Sequence, residues 1–194
     1  MTRLLTPNAE AIDDAIADFA QSALGGGLAP EAAELVAEAG RLRERPGEAL
    51  ALLERARAVA PGHPVPLIAL YRFYFYGHRL AEARAVGEDA LSIVRTVLGV
   101  GFGVEPPPRD AVRYDAAVRF YLFTLKGLAY LHMRLGELES ARRRLDELRR
   151  LDPEDELGSA VLLHVLMRHE DGVDDDGASA LPRTYPARGW AVQP

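Results

Sequence analysis

Proline and glycine cut this chain into helix-length pieces, and that punctuation constrains its fold more than any other feature. Gly25-Gly26-Gly27, Pro46-Gly47, Pro61-Gly62-His63-Pro64, Gly77, the stretch from Gly99 to Pro108, and Gly136 each interrupt a helical pattern. Glycine is costly inside a helix, and proline lacks the N–H and clashes with the preceding turn. Between the breaks, apolar residues recur at helical spacing. Ile12, Ile16, Phe19 and Ala23 follow an N-cap and proline at Thr6-Pro7. Leu138, Ala141, Leu145, Leu148 and Leu151 form a stripe on an otherwise charged segment. No segment alternates as a strand does. About eight helices are expected. The second to sixth span about 30–45, 48–60, 66–76, 79–98 and 110–135, the last capped by Asp110, and the eighth runs from Asp152-Pro153 to about His169. Residues 171–194, acidic and then rich in proline and glycine, read as a tail.

Composition narrows the classes of function. The 194 residues suit one domain, and the absence of cysteine removes disulfides, thiolate catalysis and cysteine-based metal sites. No apolar run approaches the roughly 20 residues of a membrane helix. The first residues lack a secretory core, so a cytoplasmic protein without membrane contact is expected. Of 23 basic residues 22 are arginine, the exception being Lys126. Net charge is −4 over residues 1–63, +3 over 64–152 and −5 over 153–194. A basic middle between acidic ends fits an anionic ligand in the middle, or ends that fold back onto it.

The helices repeat. Ala141 and Pro153 lie 12 residues apart, as do Ala49 and Pro61, and Ala83 follows Ala49 by 34. Around these sit Leu125, Leu128-Ala129, His132, Gly136, Leu145 and Leu148 in one unit, and Leu67, Leu70-Tyr71 and Tyr74 in another. The pattern resembles the tetratricopeptide repeat. The resemblance implies an all-α solenoid of antiparallel helical hairpins, with repeats at about 30–63, 64–97 and 122–155. An N-terminal helix and Gly-rich turn (1–29) would precede them, within a helical domain of 30–170 closed by a capping helix at 153–169. The 58 residues from Ala83 to Ala141 place a 24-residue insertion, 98–121, between repeats two and three. Small residues such as Ala37, Ala129 and Ala141 would let helices approach, with Leu70, Leu128 and Leu145 filling the spaces between hairpins. Three further segments, Tyr71–Tyr76, Phe120–Lys126 and Gly158–Leu163, resemble small bacterial repeat proteins found among nitrogen-fixation genes, which implies an accessory or assembly role.

The resemblance also implies a peptide-binding groove lined by the first helix of each hairpin. The corresponding positions are Glu31, Glu34, Glu38 and Arg41; Val65, Ile68, Arg72, Phe75 and Tyr76; and Phe123, Lys126, Tyr130, Met133 and Arg134. Arg72, Phe75, Tyr76, Phe123, Lys126, Tyr130 and Arg134 are the candidate binding residues. Cations would hold carboxylates and rings would supply apolar area, so the expected partner is a protein segment with acidic and apolar side chains. The carboxylate clamp of some family members finds no match in Glu34, Glu38, Ala69, Phe123 and Gly127.

Other patterns carry less. Gly99-x-Gly101-x-Gly103 follows a helix and precedes three prolines, which suits a connector better than a phosphate loop. Asp174-Asp175-Asp176-Gly177 fails the calcium-loop pattern, with Gly172 and Arg183 at ligand positions. The five histidines show no zinc spacing. Arg142-Arg143-Arg144 and Arg149-Arg150 alternate with Glu139, Asp146 and Glu147, which fits a solvated helix face better than a nucleic-acid site. No catalytic constellation stands out. The expectation is a non-catalytic, cofactor-free scaffold without a metal. Two alternatives stay open: self-assembly, with the tail and its lone Trp190 occupying a groove, and a small-molecule sensor or enzyme whose insertion closes a pocket.

Overall fold

The computed structural model describes residues 27–42 and 44–170. The expected N-terminal helix and the tail lie outside them. The described residues form eight α-helices and no strand: α1 Pro30–Arg41, α2 Pro46–Val59, α3 Pro64–Tyr76, α4 Leu80–Leu98, α5 Arg109–Tyr114, α6 Ala116–Arg134, α7 Leu138–Leu151 and α8 Ala160–Glu170. Prolines at the first position start α1, α2 and α3, where the missing N–H costs nothing. His63 caps α3, its Nδ1 accepting from the Val65 N–H at 3.3 Å.

Three hairpins stack in order: α1 with α2, α3 with α4, and α6 with α7. The second helix of each packs on the first helix of the next element, α2 on α3, α4 on α6 and α7 on α8. Alanines bring the helices together, with Ala39, Ala49, Ala83, Ala129 and Ala141 fully buried, and Leu70, Leu128 and Leu145 fill the spaces. Ala37 does not share this role: it is exposed, and Ala32 and Ala39 are the small buried residues of α1.

The register of the second and third hairpins is visible in their turns. After α3, the His78 N–H bonds Phe75 O and the Arg79 N–H bonds Tyr74 O; after α6, the Gly136 N–H bonds Met133 O and the Glu137 N–H bonds His132 O. Both are Schellman turns, with His78 (φ 58°) and Gly136 (φ 76°) in the left-handed region. Each precedes its buried alanine, Ala83 or Ala141, by five residues.

Three expected boundaries are corrected. The second helix stops at Arg41 instead of near Arg45. The sixth is two helices, because Asp115 adopts an extended conformation and its carboxylate accepts from the Val118 N–H at 3.0 Å. Asp115, not Asp110, therefore caps the long helix. The capping helix starts at Ala160, not at Asp152-Pro153. The Asp152 carboxylate folds back onto the Glu156 and Leu157 N–H groups at 3.0 and 2.9 Å. Asp155, at φ 54°, accepts from the Ser159 N–H and hydroxyl at 2.5 and 2.7 Å. Side-chain bonds of this kind hold a turn against helix.

Candidate functional site

Arg72, Phe75 and Tyr76 lie on one face of α3, at i, i+3 and i+4. No Cα of α3 comes within 8 Å of α6, and aromatic rings fill the space. Phe75 stands at their centre. Its ring lies 5.9 Å from Tyr130 on α6, 5.5 Å edge-on from Tyr76, and 5.8 Å in a stack with Tyr71. Arg134 donates to the Tyr130 hydroxyl at 2.8 Å and places its guanidinium 5.8 Å from that ring. Phe75, Tyr76, Tyr130 and Arg134 thus form one half-buried cluster, with Arg72 one turn before Tyr76.

Tyr71, part of the repeat signature and not of the expected site, lies beside this cluster. Its hydroxyl would lie 3.0 Å from a Cβ at Gly127, so the ring wedges α3 away from α6. The glycine inside an otherwise helical run was the sequence signal that something large leans there. Burial pushes the Tyr71 phenol well above its usual range, with Tyr130 and Tyr76 adding to the effect. Burial also raises Tyr130, opposed by its bond from Arg134.

The other candidates on α6 lie elsewhere. Phe123 packs against the main core beneath the Arg119 guanidinium, 5.8 Å from its ring. Lys126 donates to the Leu157 carbonyl at 2.5 Å and belongs to the turn between α7 and α8. Burial lowers its pKa, opposed by the Asp155 and Asp152 carboxylates. Met133 is buried among Ala129, Ala141, Leu145 and Leu166. On α1, Glu31, Glu34, Glu38 and Arg41 are all exposed.

Behind the cluster, a polar chain ties α4, α6 and α7 together. His132 faces Glu137 at 2.5 Å and Glu88 at 3.3 Å, Glu137 pairs with Arg84, and Arg144 reaches Glu88 at 2.7 Å. Arg84 first, then His132, hold the Glu137 carboxyl below its usual range. Among the described residues, no group of three histidine or carboxylate side chains is placed to hold a metal, and no helix is long and apolar enough to cross a membrane.

The insertion is a pinned loop. Gly99 and Gly103 take positive φ values, 83° and 93°. Phe102 packs edge-on at 5.1 Å against Tyr121, and Arg150 donates to the Gly103 carbonyl. Arg109 and Arg113 both grip Glu156, at 2.7 and 2.6 Å. An open cavity of about 390 Å³ lies in this loop, lined by Phe102, Val104, Glu105, Pro107, Ala111 and Val118 among others.

The fold and site define a class: an all-α protein of stacked hairpins, with an aromatic and basic cluster across the second and third. The chain is 35% identical over 147 residues to an uncharacterized 19.8 kDa protein in the nifW 5′ region of Azotobacter chroococcum mcd 1, covering 73% of this chain and 81% of that one. It belongs to the same family as that protein. No protein-family model matches the chain, and no solved structure does.

Proposed function

We propose that this chain is a non-catalytic scaffold of the tetratricopeptide type, which binds a segment of another protein across α3 and α6. The carrying observation is the ring cluster of Phe75, Tyr76 and Tyr130 flanked by Arg72 and Arg134. Half-buried rings offer contact area at low entropic cost, and guanidinium groups match carboxylates. The complementary partner segment carries aromatic or aliphatic side chains beside Asp or Glu. The relative in the nifW 5′ region supports an accessory or assembly role connected with nitrogen fixation.

The test is photocrosslinking in native-host lysate, with the photoreactive residue at Tyr76 or, as control, at exposed Val59 on α2. The expected result is one major adduct from Tyr76, absent from Val59 and lost in a folded Arg72→Glu variant. The captured peptide should contain both acidic and apolar residues. Equal adducts from both positions, or an adduct indifferent to Arg72→Glu, would reject the groove.

A further inference from the structure

The insertion loop combines a fixed conformation with outward-facing apolar side chains. Its anchors are Phe102 on Tyr121, Arg150 on Gly103, and Arg109 and Arg113 on Glu156. Yet Val100 is fully exposed, and Val104 and Tyr114 are each 77% exposed. Apolar exposure around a loop that also holds an apolar-lined cavity marks an interaction site. Its nearby arginines are engaged by Glu156 or by a backbone carbonyl. The carboxylates of Glu105, which lines the cavity, and of Asp110 take part in no ion pair among the described residues. The patch is therefore apolar, with two carboxylates open to a cation.

The C-terminal segment of the chain offers apolar and cationic side chains together. Residues 177–194 carry Leu181, Tyr185, Trp190 and Val192, with Arg183 and Arg188 and no acidic side chain. The order of charge fits as well. α8 returns along α7, so the described chain ends at Glu170 near the start of α7, where Leu166 clusters with Ala141 and Leu145. Asp171 and Asp174-Asp175-Asp176 come next in sequence, and α7 carries Arg143 and Arg149 at its surface. Beyond the far end of α7 lies the loop that Arg150 holds. α7 is about 21 Å long at 1.5 Å per residue. The 20 residues from Glu170 to Trp190 span up to about 70 Å, which is ample reach.

We infer that residues 181–194 dock intramolecularly on the insertion loop, with Trp190 in the cavity beside Phe102 and Val104 and Arg183 or Arg188 beside Glu105. A cavity of about 390 Å³ is within the range of sites that enclose a small group such as an indole. This inference is independent of the groove across α3 and α6, and it assigns the insertion a role in holding the chain's own end.

Trp190 is the only tryptophan, so its fluorescence reports the docking directly. The experiment measures emission and acrylamide quenching of the full chain. It compares wild type with Val104→Asp, Glu105→Arg and the control Val161→Asp on the exposed side of α8. Far-UV circular dichroism checks that each variant is folded. In wild type, emission should lie at shorter wavelength than in urea, and quenching should be several-fold weaker. Val104→Asp and Glu105→Arg should restore most of the quenching, while Val161→Asp leaves it unchanged. Quenching in wild type as free as in urea, or protection that survives both loop variants, would overturn the docking. Protection that appears only as protein concentration rises would assign the tail to a neighbouring molecule and overturn the intramolecular placement.

Discussion

Replacing Gly87 with alanine sets two local rules against each other, and the structure decides between them. Gly87 lies inside α4, where helix propensity alone favours alanine by about 1 kcal/mol. An added Cβ, however, would stand 2.9 Å from Leu128 Cδ2 and 3.4 Å from its Cγ, with the Tyr71 ring at 3.6 Å on another side. Carbon atoms prefer about 3.5–4.0 Å. Leu128 is fully buried and has nowhere to retreat. Overpacking of this kind costs about 1–3 kcal/mol, and here it comes from Leu128, since Tyr71 stands at ordinary contact distance. The net expectation is a loss of up to about 2 kcal/mol, or a fall in Tm of up to about 8 °C at this chain length. Urea unfolding followed by circular dichroism measures it. Gly40→Ala on α1, where a Cβ meets nothing within 4 Å, should instead stabilise by up to about 1 kcal/mol. In the Leu128→Ala background, Gly87→Ala should cost nothing or turn favourable, since the obstructing methyls are gone. A rise in stability on Gly87→Ala in the wild-type background would refute the close approach of α4 and α6.

Three further outcomes follow from the turns and the polar chain. His78→Gly should stabilise by about 0.5–1 kcal/mol and Gly136→Ala should destabilise by a similar amount, both read as Tm, because the two positions hold the same left-handed turn. Asp115→Ala should cost about 1 kcal/mol in urea unfolding by removing the cap of α6, whereas Asp110→Ala should cost less, since no capping bond forms there. The depressed carboxyls of Glu137 and Glu156 stabilise the fold above the ordinary value of 4.5, and that contribution is lost as pH falls below it. Glu137→Gln should therefore flatten the acid limb of a stability–pH curve.

The punctuation of the chain was legible because its signals are local. Pro30, Pro46 and Pro64 start helices and Gly136 ends one through the constraints that single residues impose on the backbone. The two breaks that escaped reading depend on competition. Asp110 and Asp115 are equally good caps by composition, and the choice rests on how the chain leaves the pinned loop. Asp152-Pro153 has the form of a helix start, yet the carboxylate bonds N–H groups four and five residues on. On α3, the positions implied by the resemblance lie at helical spacing and share a face. On α6, the fate of Lys126 and Met133 depends on the turn before α8 and on α8 itself, which no periodicity within α6 encodes. The Tyr71–Gly127 contact joins residues 56 apart in sequence, so the wedge between the helices emerges only in three dimensions.

The polar chain through His132 also sets how the solenoid comes apart. In a stack of hairpins, each unit is coupled only to its neighbours, and the weakest junction opens first. The second and third hairpins are laced by Glu88, His132, Glu137, Arg84 and Arg144, and again by Arg95 with Tyr121 and Glu147. Between the first and second, the described polar links are Tyr74 to Glu54 and Arg57 to Asp89. Amide hydrogen exchange should therefore find α1 and α2 opening as an early unit, ahead of a block from α3 to α7 that exchanges together. The aromatic cluster spans α3 and α6, both inside that slow block. Its rings would keep their mutual arrangement through the opening motions that release the first hairpin.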